Sequence, residues 1–183
     1  MKTTKYLTVL IGLIVGLSMT FTDAANAQQQ ATADGNASVD ILETDLVIEH
    51  QRDLYFGEHV PSSEIDVHVS PTEDNGHIPG GAVPAEFNLE GEEDTTVLLT
   101  IDAAGPLTNE NGTEIDVTLD VAGDKNDSRS EAEDELAPGG DEVQLSDESG
   151  RYWFWIGGDI TIEPNQQNGH YETDLLVEAE YTM

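Results

Sequence analysis

The stretch of sequence that comes closest to a binding motif is the acidic segment 124–135. Its oxygen-bearing side chains match the ligand offsets of a helix-flanked calcium loop: Asp124, Asn126, Ser128, Ser130 and Glu135. The match is incomplete, because Arg129 occupies the position that needs glycine for a sharp turn and Glu131 occupies the position of an apolar anchor. No helical pattern flanks the segment. We therefore expect it to attract loosely bound cations and predict no specific metal site there.

The histidines and the remaining carboxylates suggest no reaction chemistry. None of the histidines has the spacing of paired metal ligands: His50, His59, His68, His77 and His170. The sequence contains no nucleophile motif, phosphate-binding loop or dinucleotide fingerprint. Carboxylate pairs are so frequent that no pair stands out as a glycosidase dyad. The sequence therefore predicts no catalytic, cofactor-binding or metal-binding residues, and we expect a protein that is not an enzyme.

An aromatic run, Tyr152-Trp153-Phe154-Trp155, has two interpretations. On a strand, Trp153 and Trp155 share one face, while Tyr152 and Phe154 share the other. Core packing is the simpler interpretation, because aromatic side chains supply much of the buried area of a small core. The alternative is a patch on the Trp153/Trp155 face that stacks on sugars or docks another subunit.

The composition is dominated by acids. The chain has 38 Asp and Glu residues against 6 Lys and Arg, which gives a net charge of −32. Such a surface repels nucleic acid and anionic lipid, so neither is an expected partner. Adaptation to high salt, calcium loading and plain solubility could each explain the charge. The acids are spread over strands and loops alike, and this favours salt adaptation, because concentrated salt screens the repulsion between them.

The N-terminus predicts export. Lys2 and Lys5 precede the apolar stretch 7–21, and Ala25-Asn26-Ala27 forms a small-residue cleavage site. An uncut membrane anchor is the alternative, but the stretch is shorter than the roughly 20 residues of a spanning helix. We therefore expect residues 1–27 to be a signal peptide and the mature chain to lie in the periplasm, on the cell surface or outside the cell. Removing these residues leaves 4 basic and 37 acidic residues and a net charge of −33.

The mature chain predicts one β domain. Residues 28–38 are expected to be a flexible polar tail, and residues 39–183 a single domain that has no cysteine and rests on its apolar core. Alternating apolar residues predict strands at 39–49, 54–57, 64–70, 85–90, 95–102, 115–121, 151–157, 159–163 and 174–181. Residues 123–140 are expected to be a long acidic loop. Eight or nine short strands with regular turns predict an immunoglobulin-like antiparallel β-sandwich.

Several short motifs carry a family resemblance. They are Asp53-Leu54-Tyr55-Phe56-Gly57 followed by Val60-Pro61, the segment 85–91 before the strand 96–101, the segment 156–162, and Asn165 to Tyr171 before the closing strand. Together they resemble a secreted bacterial family known as domain of unknown function 4402, whose members are similar to fimbrial subunits. The resemblance implies an immunoglobulin-like sandwich at the cell surface or in the periplasm and implies no catalytic residues. This chain departs from the family in charge, because acids take many of its outward positions.

These observations favour an exported structural or adhesive subunit resembling a pilin. An open sheet edge can accept a strand from a neighbour, and the first strand (39–49) and the last (175–181) are the expected contacts. The alternative is a monomeric binding module for calcium or glycans, which would use the 123–140 loop or the Trp153/Trp155 face.

Overall fold

The computed structural model describes residues 45–182, which form an all-β antiparallel sandwich. These residues contain eleven strands, one short 3₁₀ turn (Arg129–Glu131) and no α-helix. The strands are β1 (Val47–Arg52), β2 (Ile65–Val69), β3 (Ala85–Glu90), β4 (Thr96–Ala103), β5 (Leu107–Thr108), β6 (Glu114–Ile115), β7 (Val117–Asp124), β8 (Asp134–Leu136), β9 (Asp141–Gln144), β10 (Arg151–Ile162) and β11 (Leu175–Tyr181). The predicted fold class is confirmed.

The strands form two packed sheets and a small hairpin. The six-stranded sheet has the order β1-β3-β10-β7-β8, and β2 also pairs with β10. The three-stranded sheet has the order β11-β4-β9, and β5 pairs with β6. The strand count exceeds the predicted eight or nine because β5, β6, β8 and β9 have two to four residues each, which is too short to show alternation.

The central strand β10 organises the larger sheet. One of its edges pairs with β3 through Ile156 and then with β2 from Gly158 onward, while its other edge pairs with β7. The sequence predicted two strands here, and that prediction is wrong. The predicted gap fell at Gly158, which instead pairs with Val69 on one edge and with Leu119 on the other. At the preceding Gly157 a Cβ atom would overlap the carbonyl oxygen of Val69, so the missing side chain lets the neighbouring backbone approach.

The alternating residues fill a core of two clusters. The first cluster lies between the two sheets and includes Phe87 and Phe154, whose rings stack with centroids 5.3 Å apart. The second cluster lies at the β2 end of the six-stranded sheet and includes Val67 and Ile160. Burial of these side chains on one face of each strand is what the period-two pattern predicts.

The first predicted strand is displaced along the chain. β1 begins at Val47 and continues to Arg52, three residues beyond the predicted end at position 49. The strand is mostly exposed, and its register with β3 shifts between His50 and Arg52, so apolar alternation could not define its end. Residues 39–44, the predicted tail and the predicted signal peptide lie outside the described residues.

The acidic segment 123–140 is more structured than predicted. β7 continues to Asp124, and β8 pairs with it so that the buried Leu136 lies opposite Val121. The prediction of one solvated loop is therefore wrong at both ends of the segment. A single buried leucine anchors β8, and one apolar residue among many acids gives no periodic signal.

Candidate functional site

Two sheet edges lie together on one side of the sandwich. β8 and β9 are joined by only four residues, so these edges of the two sheets are neighbours. The opposite edges are β1 and β11, and they also meet. A Cβ atom at Gly91 would lie 2.6 Å from Tyr181 Oη and 2.8 Å from Leu46 Cδ1. The backbone N–H of Glu92 also donates to Tyr181 Oη over 2.9 Å. We call the side formed by β1 and β11 the open side.

The outer edge of β11 offers backbone groups to a further strand. Thr182 N donates to Thr96 O, and Ala104 N donates to Asp174 O. The backbone N–H and C=O groups of the even-numbered residues of β11 therefore point toward β4. The backbone N–H and C=O groups of Leu175, Val177 and Ala179 therefore point away from β4. Within residues 45–182 no other strand pairs with β11. β1 likewise pairs only with β3 in this part of the chain.

The core is incompletely covered on the open side. Leu175, Val177 and Ala179 of β11 are half-buried and pack against the first core cluster, while Glu178 and Glu180 between them are exposed. Ile48 of β1 is half-buried in the same way. The β11 edge therefore presents a row of partly exposed apolar side chains together with its backbone groups, whereas β1 contributes only Ile48 to such a row.

A cleft of about 1180 Å³, lined by both polar and apolar residues, opens where the three-stranded sheet ends. Leu175, the first residue of β11, lines it. Its floor includes Phe87, Leu119 and Ile160 of the six-stranded sheet. This volume exceeds the roughly 300–1,000 Å³ of typical ligand sites.

The rim of the cleft is polar, and its groups make local contacts. His50 Nε2 lies 3.1 Å from Asp53 Oδ1, and the His50 ring lies 5.0 Å from the Phe87 ring. His59 Nε2 lies 2.9 Å from the carbonyl oxygen of Phe56. The rim therefore surrounds an apolar floor with imidazoles and with four carboxylates: Asp53, Glu58, Glu172 and Asp174.

The calcium-like offsets of segment 124–135 do not produce a converging set of oxygens. Asp124 Oδ1 accepts hydrogen bonds from the backbone N–H of Asn126 (2.8 Å) and from its side chain (3.0 Å). Glu135 lies on β8, opposite Ala122. Among residues 45–182, no group of three histidine, aspartate or glutamate side chains is arranged to hold a metal ion.

The aromatic run divides between two faces, as its alternation predicted. Tyr152 and Phe154 are fully buried in the first core cluster. Trp155, on the other face, is only 1% exposed, whereas Trp153 is half-buried. Asn88 lies opposite Trp153 on β3, is 2% exposed, and its Oδ1 has no hydrogen-bond partner. Of the four residues in the aromatic run, only Trp153 therefore remains partly accessible.

Sequence reasoning identified the two edges and missed the cleft. The structure places β1 and β11 at sheet edges, which is the position that the predicted association requires, while association itself stays a prediction. The cleft is assembled from loops 53–61 and 166–175, which are far apart in sequence. The sequence placed Tyr55 of the cleft inside a predicted strand, 54–57, and that prediction is wrong: the structure has only an isolated bridge from Tyr55 to Val83 there.

Comparisons with known proteins identify a family. Residues 45–182 contain no helix that is both long and apolar enough to cross a membrane. A search of the curated proteins found no match to the chain. A family model described as a domain of unknown function (DUF4402) matches residues 46–181, well over half of the chain and every strand of both sheets. The chain therefore belongs to the domain of unknown function 4402 family.

Proposed function

We propose that this protein is a non-catalytic structural or adhesive subunit, exported from the cell, whose copies associate through the open side of the sandwich. The observation that carries the proposal is the pair of long outer edges, β1 and β11, beside the cleft. Proteins normally protect such edges, because unpaired backbone groups recruit further strands. An edge of seven residues with a half-buried apolar row suits strand addition.

The acidic surface makes this association dependent on salt. Copies that each carry a net charge near −33 repel one another at low ionic strength. The Debye length falls from about 10 Å at 0.1 M salt to about 3 Å at 1 M. Glu178 and Glu180 are exposed on β11 itself, so they add repulsion at the contact. The same dependence fits a protein adapted to high salt.

Sedimentation and electron microscopy over a series of sodium chloride concentrations test the proposal. We expect monomers in dilute buffer and regular assemblies at about 1 M salt, where screening is short-ranged. Glu178→Gln with Glu180→Gln is expected to move the onset to lower salt. The matched control, Glu133→Gln with Glu148→Gln, removes two exposed charges elsewhere and is expected to move it less. Discrete monomers at every salt concentration would contradict the proposal.

A monomeric glycan-binding module is the second candidate. One observation favours it: Trp153 is the half-buried member of the aromatic run on β10, so part of its ring is accessible. An accessible aromatic ring can stack on a sugar. A glycan array tests this function, with Trp153→Ala expected to abolish any signal. Binding that survives the substitution excludes the Trp153 face.

The calcium version of the binding module has a separate test. The segment 124–135 holds no converging ligand set, so only diffuse cation binding is expected. Calorimetric titration with calcium in concentrated sodium chloride measures this directly. A saturable heat would establish a specific site, and no saturable heat would remove this version of the function.

A further inference from the structure

We propose that the cleft on the open side receives residues 37–42 of a second copy of this chain, added as a strand along the outer edge of β11. This inference rests on the self-association proposed above. It goes further because it names the donor segment and the surface that accepts it.

The accepting surface has the three features that an added strand requires. Within residues 45–182, no other strand pairs with the outward backbone groups of Leu175, Val177 and Ala179, so a ladder can form there. The inward side chains of β11 leave the first core cluster partly exposed. The cleft then continues from Leu175 over the apolar floor formed by Phe87 and Ile160. A strand along this edge would cover the apolar row and place alternate side chains in the cleft.

The donor segment is inferred from the sequence that precedes the described residues. Between the expected start of the mature chain and Asp45, the only large apolar residues are Val39, Ile41 and Leu42. Ala37, Val39 and Ile41 occupy alternate positions, so a strand would present them on one face. No other part of the chain outside residues 45–182 combines alternation with apolar side chains, once residues 1–27 are removed.

The direction of the chain indicates that the donor strand comes from a second copy and not from the copy whose cleft it occupies. The described chain enters the open side at Leu46, beside Tyr181, and β1 then runs toward His50 and Asp53 at the cleft. Residues that precede Leu46 would have to reverse direction to reach their own cleft. The sequence Leu42-Glu43-Thr44-Asp45 contains no glycine, asparagine or proline, and Asp45 is its one residue of a type that tight reversals favour.

The remaining face of the donor also has a counterpart on β11. With Val39 and Ile41 directed inward, Asp40 and Leu42 fall on the outer face. β11 presents Leu176, which is 52% exposed, and two glutamates on that face. Leu42 and Leu176 can then share an apolar contact. Asp40 adds a repulsive carboxylate, which is consistent with assembly only in salt.

The first test changes the donor without touching the described fold. Val39→Asp with Ile41→Asp is expected to abolish assembly in concentrated salt. Ala31→Asp with Ala33→Asp adds the same charge to the chain before the donor segment and is expected to leave assembly intact. If the unaltered protein and the control assemble and the Val39/Ile41 variant does too, the donor assignment is wrong while the proposed function stands. If the unaltered protein never assembles, both are overturned.

Cross-linking then identifies the contact and the copy that provides it. The chain has no cysteine, so every thiol is introduced. A mixture of Leu42→Cys chains and Leu176→Cys chains, treated with a short thiol cross-linker in salt, is expected to give covalent heterodimers. Asp127 is exposed near the opposite edges of the sandwich. In the control mixture Asp127→Cys chains replace the Leu176→Cys chains, and no covalent heterodimer is expected. A chain that carries both Leu42→Cys and Leu176→Cys is expected to yield linked oligomers. Internally linked monomers would overturn the second-copy assignment.

Discussion

The hydroxyl group of Tyr152 donates a 2.8 Å hydrogen bond to Oδ2 of Asp134, and this bond ties the acidic segment to the core. Tyr152 is fully buried on β10, whereas Asp134 is exposed at the start of β8. Burial, reinforced by the bond to Asp134 and its charge, raises the pKa of the Tyr152 phenol far above its ordinary value of 10.0. The hydroxyl therefore stays a donor, and it fixes the edge strand that the sequence presented as a solvated loop.

The two ends of this hydrogen bond should respond differently to truncation. Tyr152→Phe removes the donor and leaves Asp134 free to be hydrated, so the free energy of unfolding should fall by about 0.5–1.5 kcal/mol. Asp134→Ala leaves a buried hydroxyl without a partner, which costs about 1–3 kcal/mol. Urea unfolding in concentrated salt measures both values, with the exposed Glu133→Ala as a control expected within about 0.5 kcal/mol of the unaltered protein. A larger loss for Tyr152→Phe than for Asp134→Ala would contradict this account.

The raised pKa of Tyr152 also predicts an alkaline loss of stability. Above pH 10 the unfolded chain releases the phenolic proton while the folded chain retains it, so the unfolded state binds fewer protons and stability falls as pH rises. The extra slope is about 1.4 kcal/mol per pH unit until the folded pKa is reached. Urea midpoints between pH 9 and about 11.5 measure it. Tyr152→Phe should remove this slope, whereas Tyr55→Phe, at an exposed position, should leave it unchanged.

Gly157 should tolerate no side chain. Its missing Cβ makes room for the carbonyl oxygen of Val69, and the backbone nitrogen of Pro71 would lie 2.8 Å from that Cβ. Because both neighbours are backbone, Gly157→Ala should destabilise the fold by about 1–3 kcal/mol. Gly105 is the matched control, since nothing lies within 4 Å of a Cβ there and its φ is not positive. Gly105→Ala should be neutral or slightly stabilising in the same urea experiment. Equal effects at the two glycines would show that the β2–β10 contact does not depend on the missing side chain.

The sequence predicted the fold class and the inward faces because these depend on a local pattern. β3 was predicted with its observed bounds, and β11 began one residue later than predicted, since both strands alternate cleanly. β8 could not be predicted, because its contacts come from distant parts of the chain. Leu136 pairs with Val121, and Asp134 accepts the hydrogen bond from Tyr152. The join of two predicted strands into β10 was missed for a similar reason, since Gly157 acquires its role only beside β2.

The candidate site was predictable only in part. A terminal strand of a sandwich is often an edge, so the placement of β11 followed from its position in the chain. The cleft could not be inferred, because it exists where the three-stranded sheet ends over Phe87 and Leu119, and no local pattern records how far one sheet covers another.

Proline at Val177 provides the sharpest test of the β11 edge. Residues of even number on β11 bond to β4, so the N–H of Val177 points to the outer edge and its loss breaks no ladder bond. Val177→Pro should therefore leave a folded monomer with a β-type circular-dichroism spectrum and should abolish assembly in salt. Glu178→Pro is the matched control, because it removes a hydrogen bond to β4 and should destabilise the fold more than Val177→Pro does. A Val177→Pro protein that folds and still assembles would show that copies meet elsewhere, and β1 would then become the edge to block.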